Sequence, residues 1–424
     1  MDNSSVPVVV GAPGGSVADV PRALPPGFVT KIALAQFGLF SALLTPVLVT
    51  LPLRVAHVDP AHKTASLSLV LTLGALFSLI GTPLVGRLSD RTTSRFGRRR
   101  PWLVGGVAGG LLGLSLIAFV PSVPVIAVGW VIAQSSLFGT MAALQATVAD
   151  QVPASRLGKV SGALGFALTV STVAGAQLVA RFSDVRVQFL GPALLAFVLV
   201  TYYAVTLPDQ RLEAKPGRLS VREIAGSFWT NPVKHRDFGW AWLSRVLVMF
   251  GIVAPPSYLA YYLMSDFQVA DAVVAGKVGL LILVNYVANA LVAACSGWIS
   301  DKAGARKPFV IGASLVIALS LVLLAYAPNF ATVVVSQILA GAGAGMFYAV
   351  DMAMITVVLP SKENAAKDLG VMSIANALPL MLAPLLAPAL LGIGGGDSYA
   401  LFFTFAGALA LAGALSVPRI RGTR

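Results

Sequence analysis

GRLSDRTTSRFGRRRPW, residues 86–102, sets six arginines and one acid between two long apolar runs. A second version, GWISDKAGARKPF, occupies residues 297–309. Gly86, Asp90 and Arg91 answer Gly297, Asp301 and Lys302 at an offset of 211, and Arg99 answers Arg306 at 207. A short charged loop that returns once per half of a chain marks two copies of one design.

The surroundings of both loops are apolar. Of 424 residues, 57% are hydrophobic and 11% charged, and the mean hydropathy is +0.84. A water-soluble surface needs more charge than that. Apolar runs near the roughly 20 residues a bilayer-spanning helix needs fall at 31–53, 66–86, 102–120, 123–148, 160–180 and 188–207. Six more fall at 239–264, 278–299, 308–327, 330–356, 369–392 and 399–417. The expectation is an all-α integral membrane protein of twelve transmembrane helices in two pseudo-symmetric six-helix bundles.

Charge orients the chain. The net charge is +13, but it is not spread as a nucleic-acid surface would be. With both termini cytoplasmic, 24 of the 30 Lys and Arg fall on the cytoplasmic side. Arg54, Lys63, Arg181, Arg186 and Lys277 fall outside, and Arg245 lies within a span. That is the positive-inside pattern of a multi-pass protein in the cytoplasmic membrane. Domains follow: a disordered tail over 1–29, a bundle over 30–207, a cytoplasmic loop over 208–238, a bundle over 239–418 and a tail over 419–424. Within the central loop, SVREIAGSFWTN (220–231) has the composition of a short surface-lying helix.

Several functions are excluded. Cys295 is the single cysteine, so there is no disulfide framework or thiolate metal site. His57, His62 and His235 lack metal-ligand spacing, no nucleophile–base constellation stands out, and no phosphate-binding GxxxxGK[ST] motif is present. An enzyme, a metal centre and an organic cofactor are not expected.

With the loops, the topology and the repeat in place, the chain resembles the major facilitator superfamily. The extended SDRTTSRFGRRRPW is similar to the loop of its sucrose and glycoside proton-symporter branch. That resemblance implies a secondary active transporter for a small organic solute, sugars and glycosides among the candidates. It implies alternating access driven by a proton gradient, with solute, protons and membrane lipid as partners and a monomer as the working unit. It also implies a conformational latch at Gly86, Asp90, Arg91, Arg98, Gly297 and Asp301. Where the branch's sugar carriers hold an acid in the fourth helix, this chain has Gln134 and Gln145. Exporters on the same fold carry Gly-Pro and paired glycines in the fifth helix. The fifth span, SGALGFALTVSTVAGAQLVA, has no proline. A drug or metabolite exporter is the second reading, and a receptor or scaffold that no longer transports is the third.

Weaker echoes of the repeat point to the site. Gln36 and Pro46 align with Arg245 and Pro255 at an offset of 209, and Gly139 and Gln145 with Gly345 and Asp351 at 206. Arg245 and Asp351 are the strongly ionised residues deep in the spans, where a charge needs a cavity or a partner. At 1.5 Å per residue, Asp351 lies about 13 Å from Pro360, and Arg245 about 12 Å from Asp237. They share one layer. Gln36 and Gln145 lie about 8 Å in from the same side.

In the superfamily the first, fourth, seventh and tenth helices line the central cavity, which implies that all four residues face it. Asp351 is then the candidate proton carrier, held charged by Arg245 and free to take a proton when the pair breaks. A permanent salt bridge between the seventh and tenth spans is the alternative. Gln36, Gln134, Gln145, Asn285, Asn289 and Asn376 are candidates for solute hydroxyls, or for bonds to neighbouring helices. Tyr261, Tyr262 and Tyr286 could stack on a ligand, but tyrosines near span ends more often anchor at the interface. Pro255-Pro256 should interrupt the seventh span, and GAGAG at 341–345 should admit a neighbouring helix closely.

Overall fold

The computed structural model describes residues 24–209, 235–358, 365–393 and 398–420. Tail residues 1–23 and 421–424 and most of the central loop, including 220–231, lie outside them. The described residues in regular elements are helical. Among the described residues, eleven helices are long and apolar enough to cross a membrane, and the seventh crossing is divided in two.

The first crossing joins α1 (Phe28–Thr45) to α2 (Leu51–Val58) through a π-helical turn at Pro46–Thr50. Then come α3 (Lys63–Asp90), α4 (Arg100–Phe119), α5 (Val123–Gln151), α6 (Leu157–Val179) and α7 (Val185–Thr206). In the second half, α8 (Arg236–Val253) and α9 (Leu259–Ser265) form the divided crossing. They are followed by α10 (Asp271–Ala303), α11 (Lys307–Ala325), α12 (Phe330–Val358), α13 (Ala365–Leu391) and α14 (Tyr399–Ser416). α10 starts seven residues before the apolar run at 278, because hydropathy sees only the lipid-buried part of a helix.

The two first helices of the halves break at repeat-equivalent prolines. Pro46 has no N–H to offer the Ala42 carbonyl, and the chain recovers in one wide turn closed by Leu51 N–H on Pro46 O. Pro255 and Pro256 withdraw two successive donors, so the Gly251 and Ile252 carbonyls lose their partners and α8 stops at Val253. In α13, by contrast, Pro379, Pro384 and Pro388 leave one continuous helix.

Small residues set the packing within the second half. A Cβ on Gly343 would meet α11 at 2.7 Å from the Ile317 side chain, whereas Gly341 and Gly345 lie on the backbone of α10 at Asn285 and Asn289. The GAGAG run therefore lets two neighbours approach α12 from different faces.

Each half packs mainly within itself, and two seams join them. α3 runs along α13, and α6 runs along α10. By the repeat, the second span corresponds to the eighth and the fifth to the eleventh. The two seams are therefore the same contact made twice, as a two-fold axis requires.

Candidate functional site

Three groups of polar residues stand out, at the loop end of the bundle, at the far end and between them.

At the loop end, Arg99 is the hub. It is buried at the entrance to α4, and its guanidinium donates to Asp90 at 2.6 Å, Asp150 at 2.9 Å and Ser89 at 2.9 Å. Arg98 adds a second bond to Asp150, at 2.6 Å. Burial works against the charge on Arg99, but hydrogen bonds to Asp150 and Asp90 hold its pKa above the ordinary value. Asp90 is thus engaged by a side chain, and the acceptor that caps α4 is Asp209, beyond the end of α7. Its Oδ2 takes the Arg99 and Arg100 N–H groups at 2.6 and 2.9 Å. Gly97, with φ of +108°, makes the turn that lets this carboxylate sit against the backbone. Arg100 donates to the carbonyls of Leu207 and Val205. Arg91 ends α3 as its C-terminal cap residue.

The latch glycines are not at tight crossings in this conformation. A Cβ on Gly86 would meet nothing within 4 Å, and one on Gly297 only Ala349 at 3.9 Å. The side chain of Asp301 lies outside the described ones.

At the far end the halves are joined directly. The hydroxyls of Ser68 on α3 and Tyr258 lie 2.7 Å apart. Tyr261 on α9 donates to the Pro52 carbonyl on α2 at 2.8 Å, and Lys63 sits 5.5 Å over its ring. Tyr262 donates to the Leu324 carbonyl at 2.6 Å. Tyr258, Tyr261 and Tyr262 are all buried, so the expectation that Tyr261 and Tyr262 are membrane-interface anchors is corrected. The helix break after Val253 turns this segment inward, and position near a span end does not reveal that.

Between the ends lies the ion pair. Arg245 Nη1 on α8 is 2.7 Å from Asp351 Oδ2 on α12, with side chains 7% and 3% exposed. Arg245 Nε donates to Asn376 Oδ1 on α13 at 2.6 Å. One guanidinium therefore joins three helices. Tyr348, one turn before Asp351, lies near the pair and Tyr286, and Tyr286 interacts with Thr172 of α6 across the seam. Tyr348 is 45% exposed, so open space reaches the neighbourhood of the pair.

The remaining amides differ in use. Gln134 is buried against α3, its amide 3.5 Å from Ser78 Oγ and its oxygen beside Gly74. Asn285 donates to the Gln337 carbonyl at 3.1 Å, and Asn289 presents backbone to Gly345. Gln36 is buried on α1 and Gln145 is exposed on α5. Sequence reasoning missed Asp150, Asp209 and the hub role of Arg99. An acid closing the fourth span opposite an arginine run was the available signal for Asp150.

Two bundles joined by matched seams and by direct contacts at one end, with a buried ion pair between the ends, form the architecture of a secondary transporter. The chain belongs to the major facilitator superfamily, whose family model matches residues 31–276 and 241–423. That family transports small molecules, and the chain is a multi-pass membrane protein and not an enzyme. Over 81 residues it is 41% identical to an uncharacterized symporter, sll1374, of Synechocystis sp., covering 19% of this chain and 15% of that one. Over 82 residues it is 39% identical to proton-associated sugar transporter A of Homo sapiens, covering 19% and 10%. The matches thus span well under a fifth of either relative.

Among solved structures, the nucleoside transporter NupG matches with a TM-score of 0.72 at 14% identity, over 93% of this chain and 98% of that one. A D-xylose-proton symporter matches at 0.68 and 16%, over 92% and 97%. At these identities the likeness is one of fold.

Proposed function

We propose that the protein takes up a small polar organic solute, of the sugar or glycoside kind, together with protons across the cytoplasmic membrane. The buried Arg245–Asp351 pair is the observation that carries this reading. Two opposite charges in a lipid-embedded bundle are costly to keep, and replacing them with apolar residues is often neutral or stabilising. Their presence beside exposed Tyr348 suits a proton acceptor that changes partner during transport. The partial matches to a symporter and to proton-associated sugar transporter A support the same direction.

With the basic loops cytoplasmic, as the charge distribution favours, the closed far end is the outer face and both termini lie inside. The conformation is then inward-open. Tyr258, Ser68, Tyr261 and Pro52 seal the outside, while the room around Gly86 is the space into which the halves close in the opposite state. Asp90, Arg91 and Arg98 keep the first latch loop in shape, with Gly297 and Asp301 as its second copy. Asp351 binds a proton in the outward-open state, Arg245 is released from it, and return of the pair inside expels the proton. Gln36 and Gln145 supply hydrogen bonds to solute hydroxyls from the first half. Gln134, Asn285 and Asn289 serve mainly their own helix contacts. The protein works as a monomer.

The test is a panel of sugars, glycosides and small metabolites offered to proteoliposomes under an inward proton gradient. Concentrative uptake of one class, lost in Asp351→Asn, is the expected result. Extrusion of dyes driven by the gradient, with no uptake from the panel, would replace this reading by export.

A further inference from the structure

Resting on the reading of Asp351 as proton carrier, a second role can be assigned at the same site. We propose that Asn376 is the second, constant seat of Arg245, the positioning residue that keeps hold of the guanidinium while Asp351 carries a proton.

The geometry is the starting point. Arg245 spends Nη1 on Asp351 at 2.7 Å and Nε on Asn376 at 2.6 Å, so the two partners occupy different edges of one planar group. The Arg245 side chain is 7% exposed. When Asp351 becomes neutral, that cation loses its counter-ion, and a buried cation without a partner costs several kcal/mol. The protonated intermediate then forms only at very acidic pH, unless another acceptor stays in place. An amide oxygen suits that task because it does not titrate. It accepts from a guanidinium in both states and never competes with Asp351 for the proton. A carboxylate at the same position would hold Arg245 too firmly to return it.

The surroundings leave few other candidates. Among the described residues, Tyr348 from α12 interacts with both members of the pair, and Tyr286 from α10 interacts with Tyr348. α11 carries no titratable residue between Lys307 and Tyr326, and α14 none between Tyr399 and Arg419. α13 carries Lys367 and Asp368 about two turns before Asn376, toward the loop end. Along α8, Asp237 lies two turns from Arg245.

The exchange also has a mechanical consequence. α13 packs against α3 along one of the two seams between the halves. Protonating Asp351 breaks the ion pair between α12 and α8 and leaves the Arg245 guanidinium fastened to α13 alone. The chemical event is thereby passed to a helix that borders the other half.

Infrared difference spectroscopy of the purified, reconstituted protein, titrated with pH, reads the carboxylic-acid band of Asp351, assigned by its loss in Asp351→Asn. With Asn376→Leu the titration midpoint should move to a few-fold higher proton concentration, because the bond from Arg245 to the amide strengthens once Asp351 is neutral and no carboxylate shares the guanidinium. Asn376→Gln restores an amide oxygen and should move it back toward the parent value. If the leucine variant is not recovered folded, Asn376→Ala should give the same shift. A midpoint that does not move in the apolar variant, or moves equally in Asn376→Gln, overturns the assignment and leaves Asn376 a packing residue. The underlying reading fails separately. Gradient-driven uptake that survives Asp351→Asn removes Asp351 from proton coupling, whatever the Asn376 variants do.

Discussion

Arg99 and Arg245 are both almost withdrawn from solvent, and both are held by more than one partner. They differ in what remains when one partner is lost. Arg99 has two carboxylates, Asp90 and Asp150, plus the Ser89 hydroxyl, and all three belong to the first half. Arg245 has one carboxylate and one neutral amide. Neutralising either acid beside Arg99 leaves the cation paired. Neutralising Asp351 leaves Arg245 with Asn376 alone. The first arrangement suits a rivet, the second a switch. Near-equal burial of two arginines therefore does not imply near-equal function; the charge balance around each decides.

The sharpest way to break this contrast is Asp351→Asn. Uphill uptake in proteoliposomes should fall to the level of empty vesicles, while exchange of labelled for unlabelled solute persists. Retained uphill uptake would place Arg245–Asp351 among the rivets.

Arg99→Ala comes next. It deprives exposed Asp90 of its partner, leaves Asp150 to Arg98 and empties a buried site at the entrance to α4, and should cost about 2 kcal/mol, read as a fall in thermal unfolding temperature in detergent. A loss of coupling with unchanged stability would reverse the two roles.

A smaller effect is expected where the halves meet. Tyr258→Phe removes the bond to Ser68, worth about 1 kcal/mol. Thiol labelling of Leu71→Cys, a buried position one turn after Ser68 on α3, in a Cys295→Ser background should then speed up about fivefold as the far end opens more often. An unchanged rate would mean that the far end is held by packing alone. The smallest effect belongs to Asp90→Asn. Asp90 is 57% exposed, and Asp150 remains on Arg99, so the stability change should stay within about 1 kcal/mol. A loss as large as that of Arg99→Ala would show that the rivet has no spare acid.

Much of the fold is legible in the chain because its causes are local. A span is a run of apolar residues, and the helix break after Val253 follows from two missing N–H groups at Pro255 and Pro256. The repeat pairs Pro46 with Pro255, and both positions distort their helix. Yet it does not say that one yields a π-helical turn and the other a full interruption. That depends on one proline against two.

The site is legible in depth and not in direction. Counting 1.5 Å per residue reaches the layer of Arg245 and Asp351, but azimuth around a helix is set by packing. Asn376, 131 residues from Arg245, therefore gives no sign of its partner. Gln134 has the same kind of depth as a cavity residue and turns instead toward Gly74 and Ser78 on α3. Asp150 and Asp209 reach the arginine run from the ends of α5 and α7, and nothing in a linear reading brings those ends together.

The central claim is that Asp351 carries the proton that drives solute entry. The most direct measurement is internal pH in proteoliposomes as the solute panel is added outside, with no preset gradient. Acidification on adding one solute class, absent in Asp351→Asn at equal reconstitution, is the predicted result. Equal acidification by the Asp351→Asn protein would contradict the claim.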